Sequence, residues 1–304
     1  MSLLTPAAAW LITRNRLTDS TQKNLTWITG AGGLIGNYLV QTAPRFAPSW
    51  RARGLARAEL DLLDFGAVRR EFKKQEPQLI IHCAALTHTP TCQKNPALAR
   101  KLNVDVTALL AELAAGIPFI FFSTDLVFDG RAGNYDESAP VSLLNVYAQT
   151  KAAAEKIVLA NPGHTVVRTS LNLGVSPTGD RGFNEQLRTA FEAGEVVKLF
   201  TDEYRCPIPA MVTAQAVWEL ANQNCTGLFH VAGGERLSRY EIGRLIAARH
   251  PELNPNIEPE SLKTYQGAPR SPDTSLNCSK AQGVLSFRLP GLTEWLKANP
   301  GEQI

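Results

Sequence analysis

Paired cysteines, long apolar runs and blocks of like charge are all missing from this 304-residue sequence. The five cysteines are far apart and include no CxxC pair, which disfavours a disulfide framework or a structural zinc site and favours reduced, cytoplasmic thiols. Without a run of about 18 apolar residues, no transmembrane helix is expected. The net charge of +3 is spread over scattered lysines and arginines, which gives little support to nucleic-acid binding. We therefore expect a cytoplasmic protein that binds neither membranes nor nucleic acid.

The sequence does contain a regular alternation of strands and helices from residue 25 onwards. Short apolar, β-rich runs end in turns and are followed by segments with helical spacing. Predicted strands lie at 25–29, 52–57, 79–85, 118–124 and 164–170, and predicted helices at 34–43, 65–75, 97–116 and 146–160. Strands that are apolar throughout need helices on both faces, so the pattern predicts an α/β fold with a doubly wound parallel sheet.

The rhythm of the pattern divides the chain into three segments. Residues 1–24 are predicted to be an N-terminal extension, and residues 25–171 to form the sheet domain. Beyond residue 172 the alternation loosens, which indicates a smaller C-terminal lobe over 172–304. We expect segments near 210–232 to return to the first domain.

A glycine-rich segment, TGAGGLIG, joins the first predicted strand to the first predicted helix. Gly30 would permit the tight turn, Gly33 would let the backbone approach a pyrophosphate, and Gly36 would let the helix pack close to the sheet. Leu34 and Ile35 open that helix, whose free N–H groups attract phosphate. An ordinary structural turn is the alternative, but the strand–helix context favours a dinucleotide-binding domain.

The end of the second predicted strand bears on the choice between NADP and NAD. Arg57 follows Leu-Ala there, and an arginine can hold the 2′-phosphate of NADP, whereas an acidic residue would hold the ribose hydroxyl of NAD. A solvated surface arginine is an equally good interpretation, so NAD stays open. Asp61 and Leu62 open the next segment, where a carboxylate can accept a hydrogen bond from the adenine amino group.

Tyr147 and Lys151 lie four residues apart on a predicted helix and therefore share a face. An ammonium near a tyrosine, helped by a positively charged nicotinamide, favours the phenolate and lowers its pKa, so this pair can serve as an acid–base group. Thr124 ends a preceding strand, where it can hydrogen-bond a substrate carbonyl. Asn103, on the helix before that strand, is a candidate for bracing the backbone at the cofactor site or relaying a proton.

These segments together resemble the extended short-chain dehydrogenase/reductases, and more closely the dTDP-4-dehydrorhamnose reductases. The resemblance runs from about residue 25 to the C-terminus and rests on the order and spacing of ten segments. They are TGAGGLIG, ELDLLD, IIHCAALT, NPALARKLNVDVT, STDLVFDG, LLNVYAQTKAAAE, VRTSLNLG, DEYRCPIPA, GLFHVAGGERLSRYEIGRLI and PRSPDTSLNCSK.

The resemblance implies a set of functional residues and a substrate class. The cofactor would be held by Gly30, Gly33, Gly36, Asp61, Ala84, Ala85 and Lys151, and the catalytic residues would be Thr124, Tyr147 and Lys151. The substrate would be a nucleotide-activated 4-keto-6-deoxy sugar lying near Thr87, Asp125 and Asn172, with Arg205 or Arg270 paired to its diphosphate. Members of the family often form homodimers, and no metal site of the family is recognisable here.

Several departures from the family pattern fall in the walls of the expected sugar pocket. Leu126 and Leu171 stand where aromatic residues are usual, and the segment from Arg205 to Ile208 replaces usually smaller residues. These departures spare the proposed chemistry. Two alternatives stay open, a nucleotide-sugar epimerase of the same fold and a non-catalytic cofactor-binding regulatory subunit. A dehydratase is a weaker alternative, because such enzymes usually have an acidic pair next to the threonine. Here Asp125 supplies one carboxylate, but Leu126 supplies no second one.

Overall fold

A computed structural model of the protein describes residues 23–267 and 269–304, so nearly all of the predicted extension lies outside it. In chain order the strands are β1 (Asn24–Thr29), β2 (Trp50–Leu55), β3 (Leu79–His82), β4 (Phe119–Thr124), β5 (Thr165–Thr169), β6 (Asn172–Leu173), β7 (Val196–Phe200), β8 (Tyr204–Arg205), β9 (Ile208–Pro209), β10 (Gly227–Val231), β11 (Leu237–Ser238) and β12 (Asn256–Glu260). The α-helices are α1 (Leu34–Phe46), α2 (Phe65–Gln75), α3 (Thr89–Lys94), α4 (Pro96–Arg100), α5 (Val106–Leu113), α6 (Val146–Leu159), α7 (Phe183–Glu192), α8 (Ala210–Asn222), α9 (Arg239–Ala247), α10 (Ser279–Gln282) and α11 (Leu292–Ala298).

The centre of the fold is a six-stranded sheet with the order β10-β5-β4-β3-β1-β2. All five strand pairs in it are parallel. The predicted doubly wound parallel sheet is therefore confirmed. The strand order reverses between β1 and β3, and ligands of such sheets bind in the crevice at the carboxyl ends beside that reversal.

Helices cover both faces of the sheet because side chains alternate along each strand. Trp27 and Phe121 belong to a buried cluster with α2, α5 and α6, whereas Ile28 and Phe122 belong to a second cluster with α1 and α8. Most of these side chains are fully buried. The continuous apolar runs in the sequence are the direct consequence of this double coverage.

The C-terminal half contributes to both parts of the molecule. β10 pairs with β5 as the edge of the central sheet, and α8 packs against α1. The rest forms a smaller lobe around α7, α9 and α11, with short ladders of β7 with β12 and β8 with β11. The domain boundary at residue 172 stays a prediction.

Two predicted elements differ from the structure in ways that matter for the site. β2 ends at Leu55, so Arg57 lies two residues beyond the strand rather than on it. The helix predicted at 97–116 is interrupted, because a π turn over Lys101–Asp105 separates α4 from α5. Within the described ranges no helix is long and apolar enough to cross a membrane.

Candidate active site

The loop after β1 forms a glycine cradle at the carboxyl end of the sheet. Gly30 has a φ of 71°, in the left-handed region, and its N–H donates to the Leu55 carbonyl at 3.1 Å. A Cβ on Gly30 would lie 2.7 Å from the Ala84 nitrogen, and a Cβ on Gly36 would overlap the Gly30 carbonyl. The loop therefore passes as close to its neighbours as only glycine allows.

The N-terminus of α1 opens into this cradle. Its N-cap is Gly33, which has no side chain to accept from the helix, and the 13-residue helix carries no acidic residue in its first turn. The first N–H groups, including those of Leu34 and Ile35, are thus available to a bound anion. This donor set fits the pyrophosphate of a dinucleotide. Ala84 and Ala85 follow β3 on the opposite side of the cradle.

The residues predicted to choose the cofactor lie at the exposed end of β2. The Arg57 guanidinium is 3.9 Å from the Asp61 carboxylate, and the arginine side chain is 84% exposed. Asp61 also accepts a hydrogen bond from the Leu63 N–H at 3.0 Å. Arg57 is free to move onto an added phosphate, since an ion pair this exposed is worth less than about 1 kcal/mol.

Thr124, Tyr147 and Lys151 come together at the carboxyl end of β4. Thr124 ends that strand, while Tyr147 and Lys151 lie one turn apart on α6. The helix begins where Asn145 accepts from the Ala148 N–H at 2.9 Å. All three predicted catalytic side chains are buried, and the Thr124 and Tyr147 hydroxyls are in contact.

The charge state of this trio differs from the prediction. Lys151 Nζ donates to the Phe122 carbonyl at 2.5 Å and lies 4.0 Å from the centre of the Phe121 ring. Burial lowers the pKa of Lys151 to about 7, against an opposing effect of Glu155. Burial also raises the pKa of Tyr147, the reverse of the predicted direction, because loss of solvent from the phenolate dominates. Tyr147 is therefore protonated at neutral pH and can donate a proton.

Asn103 lies in the π turn and ties the loop after β3 to α6. Its Oδ1 accepts from the Leu86 N–H at 2.7 Å, and its Nδ2 donates to the Leu86 carbonyl at 3.1 Å and to Thr150 Oγ1 at 3.0 Å. Thr150 in turn donates to the Tyr147 carbonyl at 2.8 Å. Asn103 thus braces two segments near Tyr147. One is the loop after β3 at Leu86, and the other is the first turn of α6, which it reaches through Thr150. π turns often occur at functional sites.

Two buried polar groups beside the site were not predicted. His82, at the end of β3, contacts Thr29 and Thr107 through its two ring nitrogens. Glu155, one turn after Lys151 on α6, receives two hydrogen bonds from Arg168 at 2.9 and 2.8 Å. The available signal was a charged or polar residue inside an otherwise apolar run, as in LIIH and VVRT.

The structure does not suit the predicted phosphate contact of Arg205. This arginine is buried, and it donates to the Glu203 carboxylate at 2.9 Å and to the Tyr204 and Ser271 carbonyls. Its Nε lies 3.7 Å from Asp125. We correct the prediction: Arg205 holds the lobe together, since its donors are used within the chain.

Arg270 is better placed than Arg205 for an anion. Its guanidinium is bound to Glu203, but its side chain keeps 33% exposure. Arg239 also approaches Glu203, at 3.8 Å. Outer donors of Arg270 remain open to solvent, so its predicted diphosphate contact stays a prediction.

The residues predicted near the sugar have different surroundings. Thr87 is exposed on the loop after β3. Asp125 is buried and accepts from Ser170 and Thr274 at 2.8 and 2.9 Å. Asn172 donates to Thr169 Oγ1 at 2.9 Å and accepts from Thr213, so it braces the end of β5. Direct sugar contact is therefore more accessible to Thr87 than to the other two.

The two leucines that depart from the family pattern lie on different sides. Leu126 packs with Leu86, Cys92 and Tyr147, so the wall beside the tyrosine is apolar. Leu171 packs against the core of the C-terminal lobe. Of the two, Leu126 is the one beside the candidate catalytic group.

The geometry as a whole supports carbonyl reduction or its reverse. A protonated tyrosine, a hydroxyl and an amine converge at the end of β4, next to a cradle for a dinucleotide. His/Cys/Asp/Glu clusters of the kind that hold a metal do not occur in residues 23–267 or 269–304. The site therefore has the groups for binding a carbonyl and protonating its oxygen.

Comparison with known proteins gives a consistent match. The family model described as the RmlD substrate binding domain matches residues 25–299. A probable low-salt glycan biosynthesis reductase of Haloferax volcanii is 30% identical over 90% of this chain and 96% of its own. The beta subunit of methionine adenosyltransferase 2 of Rattus norvegicus is 30% identical over 84% of this chain and 80% of its own. A dTDP-4-dehydrorhamnose reductase of Bacillus anthracis, solved with NADP, superimposes with a TM-score of 0.83 at 23% identity, covering 91% of this chain and 98% of its own.

Proposed function

The chain belongs to the family of the RmlD substrate binding domain, and from that premise we propose that it is an NADP-dependent reductase of a nucleotide-activated 4-keto-6-deoxy sugar. The observation that carries the proposal is the meeting of Thr124, Tyr147 and Lys151 beside the glycine cradle. A reductase of glycan biosynthesis among the relatives supports the substrate class, and the reductase solved with NADP supports the cofactor.

The cofactor would lie across the cradle, with its pyrophosphate at Gly30, Gly33 and Gly36 and its 2′-phosphate near Arg57. When bound, the nicotinamide supplies the hydride. The chain's own residues bind and orient the sugar carbonyl and move the proton. NAD remains the alternative cofactor, because Arg57 is an exposed side chain.

Tyr147 would protonate the carbonyl oxygen of the sugar. Its raised pKa keeps the proton on the hydroxyl at neutral pH, and the Thr124 hydroxyl beside it can share the same oxygen. Lys151 is held at the Phe122 carbonyl one turn from Tyr147, where it can donate to ribose hydroxyls, and its pKa of about 7 leaves it partly charged at neutral pH. Leu126 gives the pocket an apolar wall that suits a 6-deoxy sugar better than a hydroxymethyl group.

The first test follows NADPH and NADH oxidation at 340 nm with dTDP-4-keto-6-deoxyglucose generated in the cuvette. We expect rapid oxidation, with NADPH preferred. Tyr147→Phe should lower kcat by roughly 10²–10⁴-fold with NADPH affinity nearly unchanged. Loss below about tenfold would reject Tyr147 as the acid. Net oxidation also separates a reductase from an epimerase, which restores its cofactor within each cycle.

A regulatory subunit is the second candidate, favoured by the relatives named as the beta subunit of methionine adenosyltransferase 2. On this hypothesis the chain would bind NADPH, as measured by cofactor fluorescence. It would not oxidise the bound NADPH, whichever sugar nucleotide is added. Thermal stabilisation by NADPH without turnover, equal in wild type and Tyr147→Phe, would favour it over the reductase.

A further inference from the structure

We propose that His82 is a positioning residue of this site, which fixes the π turn carrying Asn103 by donating a hydrogen bond from Nε2 to Thr107. This inference rests on the proposed function only where it is tested by enzyme kinetics. Its test by NMR spectroscopy does not require the chain to be a reductase. His82 lies at the end of β3, and its ring is buried behind the cofactor loop, where it contacts Thr29.

The direction of each hydrogen bond fixes the tautomer of His82. Thr107 Oγ1 lies 2.8 Å from the Asn103 carbonyl, which can only accept, so the threonine proton is used there. Thr107 Oγ1 must therefore accept from His82 Nε2, 3.1 Å away. A neutral ring with its proton on Nε2 accepts at Nδ1, so Thr29 donates to Nδ1 at 2.6 Å.

The surroundings of His82 indicate that apolar packing alone does not account for a histidine at this position. It is fully buried and lies between Phe119 and Phe121, with ring centres 6.1 and 5.8 Å away. A leucine would fill such a place without the cost of burying two polar nitrogens. Burial, assisted by the nearby Lys151, lowers the pKa of His82 to about 3. The ring therefore stays neutral and keeps one set of bond directions at physiological pH.

The route from His82 to the catalytic helix is a continuous chain of buried hydrogen bonds. His82 orients the Thr107 hydroxyl, which satisfies the Asn103 carbonyl inside the π turn. Asn103 then holds Leu86 and Thr150, and Thr150 holds the Tyr147 carbonyl. If the π turn relaxed to a regular α-helix, a shift of one residue would rotate the Asn103 side chain by about 100° around the axis. The clamp on Tyr147 would then be lost.

The test uses two pairs of matched variants. His82→Gln can keep a donor near the Nε2 position, whereas His82→Asn keeps an acceptor near the Nδ1 position. Thr107→Ser keeps the hydroxyl, whereas Thr107→Val removes it at nearly constant volume. We expect His82→Gln and Thr107→Ser to stay within about threefold of wild-type kcat, and His82→Asn and Thr107→Val to lose roughly 10–100-fold. KM for NADPH should change less than threefold in the two Thr107 variants, whose hydroxyl bonds, among the described residues, only to His82 and Asn103, whereas the His82 variants also alter the bond to Thr29 beside the cradle.

A loss of kcat equal in both members of each pair would overturn the proposal, as would a rise in KM for NADPH that accounts for the whole effect. Variants that keep NADPH affinity count as folded, so a kinetic loss in them is not general unfolding.

The spectroscopic test does not depend on turnover. Long-range ¹H–¹⁵N spectra of the uniformly ¹⁵N-labelled chain should show His82 as the neutral Nε2–H tautomer. The side-chain amide signals of Asn103 should move in Thr107→Val and stay in Thr107→Ser. An Nδ1–H tautomer, or Asn103 signals indifferent to Thr107, would overturn the inference even if the reductase is confirmed. A wild type that oxidises no cofactor while these signals appear as expected would reject the function and keep the inference.

Discussion

Replacing Gly30 with alanine is expected to damage the cofactor cradle, and the structure allows the size of the effect to be worked out. An alanine in the left-handed region costs about 1–2 kcal/mol. The added Cβ would also lie 2.7 Å from the Ala84 nitrogen, which is backbone and cannot turn aside. Overpacking of this kind costs a further 1–3 kcal/mol or so. The free energy of unfolding should therefore fall by roughly 2–5 kcal/mol, which lowers Tm by about 3–8 °C for a chain of this length.

Gly32 provides a control in the same loop. A Cβ there would meet the Ala56 Cβ at 3.8 Å, an ordinary contact. Gly32→Ala should change stability by less than about 0.5 kcal/mol and the NADPH Kd by less than about twofold. Gly30→Ala should raise that Kd by at least about tenfold, or about 1.4 kcal/mol, because the loop must shift at the phosphate site. Thermal melts and NADPH fluorescence titration measure both quantities. Equal behaviour of the two variants would refute the assignment of the cradle.

Three further predictions follow from the charged groups. Lys151→Met should raise the free energy of unfolding of the cofactor-free protein by roughly 2–4 kcal/mol at pH 7. The folded chain holds this pKa near about 7 rather than 10.5, so the unfolded chain binds more protons between those values and the gain should shrink as pH rises through that window. A gain independent of pH in thermal melts would contradict this. Glu155→Leu should lower the free energy of unfolding by about 3–5 kcal/mol, because it leaves the Arg168 guanidinium buried and unpaired. Adding Arg168→Met should recover most of that loss, as measured by urea unfolding. A double variant no more stable than Glu155→Leu alone would argue against the pair. Arg57→Ala should raise the Kd for NADPH about tenfold and leave that for NADH unchanged, with the exposed Arg53→Ala as control; equal weakening of both cofactors would exclude a 2′-phosphate contact.

The sheet and the meeting of the three candidate catalytic residues were predictable from sequence because both depend on local pattern. Strands buried on both faces must be apolar throughout. The run FIFF, between two predicted helices in the chain, therefore predicts a central strand of the sheet. Tyr147 and Lys151 are four residues apart, so any helix brings them to one face. Glycines at a strand–helix junction likewise mark a close backbone approach, as Gly30 and Gly36 show.

What the sequence could not predict depends on partners that are distant along the chain. The apolar spacing of residues 97–113 continues through the π turn, so it gives no sign that Asn103 is rotated out of a regular helix. Arg205 was predicted as one of two candidates for the diphosphate contact, but the direction of its side chain is set by Glu203 and Asp125, which fold around it. The pKa of Tyr147 was predicted from its neighbouring lysine, whereas burial decides it. Each error concerns a polar group whose environment exists only after folding.

The position of β10 at the edge of the central sheet has a consequence for how the protein is made. β5 gains its second neighbour only when Gly227–Val231 arrives, and about 60 residues of chain separate the two strands. At a synthesis rate of ~5–20 residues per second, the ribosome needs roughly 3–12 s to bridge that interval. During those seconds the nascent sheet presents the unpaired edge of β5, with α8 not yet available to cover the apolar face beside α1. Newborn chains should therefore depend on chaperone protection in this interval, and truncation before residue 231 should yield aggregating fragments rather than a separable first domain.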